Sequence, residues 1–252
     1  MRPSVIDELL TYLFDERSHP LSAPMEMWLT SSRRFVAFVN IFRDKIRKKL
    51  RTTQDQDTLL DLQLELETAY LLTRERSLSL VYEPQHCGQA RCPDFAVTFT
   101  TSLTFMVEVT RLRASQKRLL ATTSFENAST PMPVLETLAD AVCSKLGQLL
   151  AQSSNVLIIG VDTPSLTQSD LHAIMLRIQQ RAEGNDASFW QRYGFRERAD
   201  FFGHYYRLSE VLVRGARLQT DNPVVVWVNP QAKRPLPGKV RTAVYRSHMS
   251  KA

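Results

Sequence analysis

The 252-residue sequence lacks any apolar run that approaches the roughly 20 residues needed to span a membrane as a helix. Its beginning also lacks the uninterrupted apolar stretch of a secretory signal, because Asp7 and Glu8 interrupt residues 1–14. Cysteine is scarce: the three residues are odd in number and too few for a disulfide framework, which fits a reducing compartment. From these absences we expect a cytoplasmic protein with no membrane segment.

Several catalytic and binding motifs are absent as well. There is no glycine-rich loop to cradle phosphate, and no G-x-S-x-G segment to place a serine with His172 or His204 as a hydrolase triad. His86, Cys87 and Cys92 lie close in sequence, but a structural zinc needs four ligands and no second Cys/His pair follows. The sequence therefore argues against a nucleotide-binding loop, a serine hydrolase and a structural zinc site.

Basic residues, by contrast, are in excess and clustered. The net charge is +6, and residues 31–51 contain eight bases against the single acid Asp44. The segment 233–252 contains bases and no acid. Such clusters favour a polyanionic partner, because Lys and Arg that neutralise phosphates release condensed counterions; a solvated basic face is the alternative. The residues that we expect to contact such a polyanion are Arg43, Arg47, Lys48, Lys49 and Arg51.

Helical periodicity organises the first part of the chain. It predicts a short helix over residues 5–14, an amphipathic helix over about 25–51 with a basic outer face, and a helix over 57–75 that is apolar nearly all round. Polar residues separate the last two helices. They divide the chain into a helical, basic N-terminal region, 1–53, and an α/β core, 54–252, with C-terminal strands and a basic tail.

The remainder of the chain alternates between strand and helix patterns. Strands are predicted near 78–84, in a hairpin over 92–112, and at 155–162, 208–213 and 223–229; helices are predicted at 135–152 and from about 170 to 183. The aromatic segment 188–206 is expected to be core rather than a platform for base stacking. This order predicts an α/β fold with a mixed central β-sheet flanked by helices.

The hairpin carries one acid in each strand, Asp94 and Glu108. Because successive side chains of a strand alternate between faces, pairing of the strands would bring both carboxylates together beside a hydroxyl. Such convergence is costly unless positive charge lies between the acids. Taken singly, Asp94 has a plainer interpretation as a turn residue, and Glu108 as a solvent-facing residue.

The predicted helix 135–152 carries a lysine on its apolar stripe. Lys145 lies three residues after Val142 and four before Leu149, so its side chain points inward, with Gln148 beside it. A buried amine is tolerated beside an anion. The alternative is that the aliphatic stem packs on apolar surface while the amine reaches solvent.

The helix at 57–75 has a related anomaly, because Glu65 and Glu67 each interrupt an apolar row and spacing alone does not separate them. Carboxylates, an inward lysine and a glutamine around one sheet, in a basic chain, are the ingredients for a divalent metal and phosphodiester cleavage. Hard cations such as Mg²⁺ prefer carboxylate and carbonyl oxygen, and a bound metal both activates water and neutralises charge on the phosphorane.

The segments ELETAYLL, CPDFAVTF, FMVEVTRL, KLGQLL and NVLIIGVD, within residues 57–162, resemble the PD-(D/E)XK nuclease superfamily, which has the restriction-endonuclease-like fold. The resemblance implies a metal-dependent DNA endonuclease that uses Mg²⁺ or Mn²⁺. It assigns the helix acid to Glu65, four residues before Ala69, and the Pro-Asp pair to Pro93 and Asp94. It also implies the remaining site residues: metal ligands at Asp94, Glu108 and the Val109 carbonyl, and catalytic helix residues at Lys145 and Gln148.

The sequence departs from that family at Thr110, which stands where the signature lysine is expected. Either the amine has moved to Lys145, or the site is weak or inactive. Arg111 is a poor substitute, because alternation turns it to the opposite face of the strand. The competing expectation is therefore a non-catalytic module of the same fold that binds nucleic acid or serves in assembly. A homodimer is possible under either interpretation.

Overall fold

Six strands form the centre of the protein within the residues that the structure describes. The structure is a computed structural model, and it describes residues 4–15, 17–53, 55–85, 92–112, 132–162, 166–184, 187–217 and 224–249. The strands are β1 (Leu78–Tyr82), β2 (Phe95–Phe99), β3 (Leu103–Arg111), β4 (Asn155–Val161), β5 (Leu208–Gly215) and β6 (Val225–Val228). They lie in the order β1-β2-β3-β4-β5-β6. The pairs β3–β4 and β4–β5 are parallel and the other pairs are antiparallel, which confirms a mixed sheet.

Four helices precede the sheet: α1 (Val5–Phe14), α2 (Ser22–Ser31), α3 (Arg33–Thr52) and α4 (Gln56–Arg74). The prediction of one helix over about 25–51 is wrong, because the chain breaks at Ser32 between α2 and α3. Ser32 has an extended backbone, and its hydroxyl accepts a hydrogen bond from the Phe35 N–H at 3.2 Å. This is an N-cap, which satisfies a donor that the first turn of α3 would otherwise leave unpaired.

Within the described residues, five further helices lie between the later strands or after them: α5 (Met132–Leu146), α6 (Gln168–Glu183), α7 (Ala187–Gln191), α8 (Arg198–Tyr205) and α9 (Gly238–His248). Two of them correct the sequence prediction. Helix α5 ends at Leu146 rather than near 152, so Gln148 lies in the turn that follows the helix. The Gln148 N–H donates to the Lys145 carbonyl at 3.0 Å. The basic segment 233–252 contains α9, which packs against α4, where we had expected only a tail.

The hydrophobic core lies on both faces of the sheet. One cluster joins the apolar sides of α1 to α4 and α9 to residues of the sheet such as Phe95 and Val107. The other joins α5 to α8 to the opposite face and contains the buried aromatics Phe189, Trp190, Phe195, Phe201, Phe202 and Tyr205, which confirms their assignment to the core. Helix α3 contacts α4 across the proposed boundary near residue 53, and that division of the chain stays a prediction.

The cysteines have two different states. Cys143 is a buried free thiol in α5. Cys92 is disulfide-bonded, which departs from the reduced thiols that a reducing compartment favours. His86 and Cys87 lie outside the described residues. Among the residues that the structure describes, no helix is long and apolar enough to cross a membrane.

Candidate functional site

The hairpin of β2 and β3 brings Asp94 and Glu108 to neighbouring positions on adjacent strands. The register pairs Phe95 with Val107, so Asp94, which directly precedes β2, lies at the level of Glu108. The Asp94 Oδ2 atom accepts a hydrogen bond from the Val109 N–H at 2.7 Å. This bond holds the Asp94 carboxylate against β3, so the two acids converge as strand pairing predicts.

Lys145 reaches this pair from α5. Its Nζ atom lies 2.7 Å from Glu108 Oε1, and the two side chains are 15% and 4% exposed. The amine is therefore directed to a buried anion rather than to solvent, as its place on the apolar stripe of α5 predicts. A charge-assisted hydrogen bond in such a setting is short and strong, because little water competes for either partner.

The electrostatic environment of Asp94 opposes its ionisation. Burial raises the pKa of Asp94 well above its usual value, and repulsion from Glu108 and Glu65 raises it further. The Val109 N–H and Lys145 lower it, but not enough to offset the other three effects. The positive charge that the protein supplies at this point is thus insufficient for the carboxylates gathered there.

Glu65, on α4, lies on the opposite wall of the site and has its own lysine. The Lys49 Nζ atom on α3 is 2.7 Å from Glu65 Oε1 and 2.7 Å from Glu83 Oε1. Burial lowers the pKa of Lys49, but Glu65 and Glu83 outweigh it, so the net pKa is raised and the amine is charged. We had assigned Lys49 to a DNA-binding face only. Its position beside Leu50, three residues after Ile46, borders the apolar stripe of α3 and is the signal for a partly buried role.

Glu67 does not line the cleft, although its spacing on α4 makes it as good a candidate for the helix acid as Glu65. Its Oε2 atom is 3.0 Å from Arg214 Nη1 on β5, and both side chains are almost fully buried. Arg214 also donates to Thr68 Oγ1 at 3.3 Å. Glu67 is therefore a structural partner of a buried arginine, and Glu65 is the acid of α4 that faces the site.

A cleft of about 570 Å³ lies at the end of β3 and joins these elements. Its lining residues come from α3, α4, the residue before β2, β3, α5 and the turn after α7: Lys49, Asp61, Glu65, Asp94, Val109, Thr110, Arg111, Asp140, Ala141, Ser144, Lys145, Arg192 and Tyr193. Two predicted site residues, Glu108 and Gln148, do not line the cleft. Glu108 is 4% exposed behind Lys145, and the Gln148 Oε1 atom is buried without a hydrogen-bond partner among the described residues. The cleft thus gathers Glu65, Asp94, Val109, Thr110 and Lys145 from the predicted site residues.

Arg111 lines the cleft, but its charge is already engaged. The guanidinium is 2% exposed and contacts Asp57 at 2.6 Å, Asp61 at 3.1 Å and Asp162 at 3.7 Å. These ion pairs tie β3 to the start of α4 and to the residue after β4. Arg111 therefore stabilises the wall of the cleft. Because its charge is engaged in these ion pairs, it is a poor replacement for the missing lysine, as expected.

The remaining basic residues of α3 are arranged in two ways. Arg47 and Arg51 both contact the Asp15 carboxylate, and Arg47 also lies 4.4 Å from the centre of the Tyr12 ring. Arg43 and Lys48 are exposed. The acid that neutralises part of this face, Asp15, lies 32 residues before Arg47, so the sequence of α3 alone overstates the free positive charge.

No group of three or more His, Cys, Asp or Glu side chains within the described ranges is arranged to hold a metal ion. The expected ligands comprise only two carboxylates, Asp94 and Glu108, with one backbone carbonyl at Val109. The bonds to the protein use Asp94 Oδ2 and Glu108 Oε1. The other oxygen of each carboxylate is therefore the one that a cation would meet.

Comparison with models of protein families, with curated proteins and with solved structures finds no match. The geometry of the cleft is therefore the basis for a functional proposal.

Proposed function

We propose that this protein is a metal-dependent DNA endonuclease with a restriction-endonuclease-like core. The observation that carries the proposal is the convergence of Asp94, Glu108 and Lys145, of which Asp94 and Lys145 line the cleft. Burial, and then the charges of Glu108 and Glu65, raise the pKa of Asp94 there. Perturbed carboxylates in a cleft are typical of functional sites, because structural ion pairs usually depress rather than raise the pKa of an acid.

The donor set fits a hard cation that keeps several water ligands, as Mg²⁺ does. Asp94 and Glu108 would hold it through their free oxygens, with the Val109 carbonyl as a further ligand. When bound, such a cation supplies a more acidic water and neutralises charge that develops on phosphate. Mn²⁺ has the same ligand preference and is the alternative ion.

The residues around the two acids have distinct proposed roles. Lys145 holds Glu108 in place and offers its remaining N–H donors to the phosphate or to the attacking water. Thr110 contributes a hydroxyl to the same cleft but no charge. Lys49 holds the Glu65 carboxylate in place. Glu65 therefore acts on the site through its negative charge rather than as a direct ligand.

The charge balance of the cleft supports a role for the cation in substrate binding. Its lining includes four acids and four bases, so a phosphodiester gains little net attraction from the protein alone. The acids are Asp61, Glu65, Asp94 and Asp140, and the bases are Lys49, Arg111, Lys145 and Arg192. A bound divalent ion would add positive charge to the cleft and so favour the binding of an anionic substrate.

The test is nicking of supercoiled DNA with Mg²⁺ or Mn²⁺ at neutral and alkaline pH. Lys145→Met should retain metal affinity but lose about two to four orders of magnitude in cleavage, the usual loss when a charge partner or proton-transfer group is removed. Thr110→Lys in the Lys145→Met background should recover part of the activity, because its amine enters the same cleft.

Arg76→Met, which removes an exposed charge outside both basic clusters, is the matched control and should cleave like the wild type. Absence of metal-dependent nicking by the wild type, or full activity of Lys145→Met, would contradict the proposed mechanism.

A second candidate is a non-catalytic nucleic-acid-binding or assembly module of the same fold. Two observations favour it: Thr110 replaces the expected lysine, and the protein's own Lys145 already neutralises Glu108. This candidate predicts DNA binding that EDTA does not weaken, no nicking, and no rise in melting temperature with Mg²⁺ or Mn²⁺. The nuclease predicts the opposite in each case, since a ligand of the native state stabilises it.

A further inference from the structure

Two lysines enter the cleft from opposite faces of the sheet. Lys49 comes from α3, which belongs to the core on one face, and Lys145 comes from α5, which belongs to the core on the other. Each Nζ atom lies 2.7 Å from a carboxylate, Glu65 or Glu108, so both amines are held in place before any ligand arrives. The cleft therefore has a fixed positive charge on each wall.

Each of these amines keeps the means to bind a further anion. A lysine ammonium has three N–H donors. Lys145 uses one for Glu108, and Lys49 uses two for Glu65 and Glu83. The Lys49 side chain is 29% exposed, so its amine is open to the cleft as well as charged.

The other bases of the cleft are less suited to contact a phosphate beside Asp94. The Arg111 guanidinium is 2% exposed and enclosed by three carboxylates. Arg192 is 60% exposed and bonded to Asp140, which places it at the rim. Lys49 is thus the base, besides Lys145, that combines charge, fixed position and access.

We propose that Lys49 is a second phosphate-binding residue of the cleft, so that a phosphodiester is held between Lys49 and Lys145. This inference rests on the proposed function and deepens it. It makes α3 part of the substrate site itself and adds Lys49 to Lys145 as a source of positive charge for the phosphate.

The test compares Lys49→Met with Lys49→Arg and with the control Arg76→Met. Binding of a fluorescent DNA duplex is measured by anisotropy with Ca²⁺, and nicking is measured with Mg²⁺. Loss of one charge-assisted bond should weaken binding and raise KM about 10- to 100-fold for Lys49→Met, and lower the slope of log affinity against log salt by about one. Lys49→Arg should retain most of the binding, and Arg76→Met should behave like the wild type.

A second variant separates binding from folding. Lys49→Met removes the lysine that Glu65 and Glu83 share. The double variant Lys49→Met, Glu65→Gln also removes the charge of Glu65, the more buried of these two acids, and should melt close to the wild type. The inference requires that this double variant still bind DNA as weakly as Lys49→Met. Binding by Lys49→Met equal to that of Arg76→Met would overturn it and leave Lys49 with a structural role.

The same data distinguish the two proposals. Nicking by the wild type with no effect of Lys49→Met overturns only the inference about Lys49. A wild type that binds DNA through Lys49 but does not nick overturns the nuclease and retains the phosphate site. A wild type that does not bind DNA at all overturns both.

Discussion

At the scale of single residues, Asp94 is the group whose environment is least favourable to its own charge. Burial and the neighbours Glu108 and Glu65 raise its pKa, so the folded state prefers the protonated acid. A carboxyl group with a raised folded pKa favours folding most below its unfolded pKa of about 4, and that contribution is lost as pH rises through the folded pKa. Asp94 therefore destabilises the metal-free protein at neutral pH.

We predict that Asp94→Asn raises the melting temperature of the metal-free protein at pH 7 by roughly 2–4 °C, the shift expected for 1 kcal/mol in a chain of this size. The amide oxygen can still accept the Val109 N–H, so the hydrogen bond is kept. The gain should shrink as pH falls towards 4, because the wild-type acid then becomes neutral. Calorimetric melting between pH 4 and 8 checks this.

Glu26→Gln, at an exposed position of α2, is the control and should melt like the wild type at every pH. Mg²⁺ should stabilise the wild type and the control but stabilise Asp94→Asn less. A marked fall in melting temperature of the metal-free Asp94→Asn protein would show that Asp94 serves as a partner of positive charge rather than as a free ligand.

At the scale of secondary-structure elements, a buried ion pair joins α4 to β5 beside α9. Glu67 and Arg214 join α4 to β5, and His248 of α9 lies nearby. Burial lowers the pKa of His248 to about 3, with a further contribution from Arg214, so the imidazole is neutral. Glu67 and Arg214 are thus a charge pair that lies beside a neutral, buried histidine.

We predict that Arg214→Met lowers the free energy of unfolding by about 3–5 kcal/mol, because it removes the positive charge that faces the buried Glu67 carboxylate at 3.0 Å. The double variant Glu67→Gln, Arg214→Met should recover most of the loss, since no charge remains to be desolvated. Urea denaturation at pH 7 measures both effects. Arg177→Met, which breaks a half-exposed pair with Glu136, should cost less than about 1 kcal/mol, and an equal cost for the two arginines would contradict the explanation.

Two elements show why periodicity alone misplaced structure. The apolar spacing that predicts a helix over about 25–51 continues across the break at Ser32, because one extended residue hardly changes a pattern that is read over many turns. In α9, Val240, Ala243, Val244 and Ser247 are buried at helical spacing. That signal was present in the sequence, but the excess of basic residues led us to interpret the segment as a tail.

At the scale of the whole molecule, we expect the basic surface and the cleft to make separate contributions to the proposed DNA binding. Arg43 and Lys48 are exposed, whereas Arg47 and Arg51 contact Asp15. Lys and Arg that are already paired with a carboxylate release fewer counterions when they approach phosphate.

We predict that replacing Arg43 and Lys48 with Gln lowers the salt slope of DNA binding by about two, roughly one unit for each lost contact. Replacing Arg47 and Arg51 with Gln should lower it by clearly less. Anisotropy titrations at several salt concentrations measure the slopes. Equal effects of the two pairs would mean that DNA displaces Asp15, and no effect of either pair would assign α3 to another partner.

Local patterns in the sequence determined most of the sheet and the central part of the site. Strand alternation places Asp94 and Glu108 together because neighbouring strands of a hairpin have a short connection and a defined register. The apolar stripe of α5 directs Lys145 inward for the same kind of reason, since helical spacing decides which side chains face the core.

Tertiary structure alone decided which other residues join the site. Glu65 and Glu67 lie about 200° apart around α4, and both interrupt apolar rows, so the sequence of the helix does not separate them. The distinction comes from Arg214, which is 147 residues away from Glu67, and from Lys49, which is 16 residues away from Glu65 on another helix. Local periodicity describes the faces of an element but not the charges that packing brings against each face, and those charges determine which acid is structural and which lines the cleft.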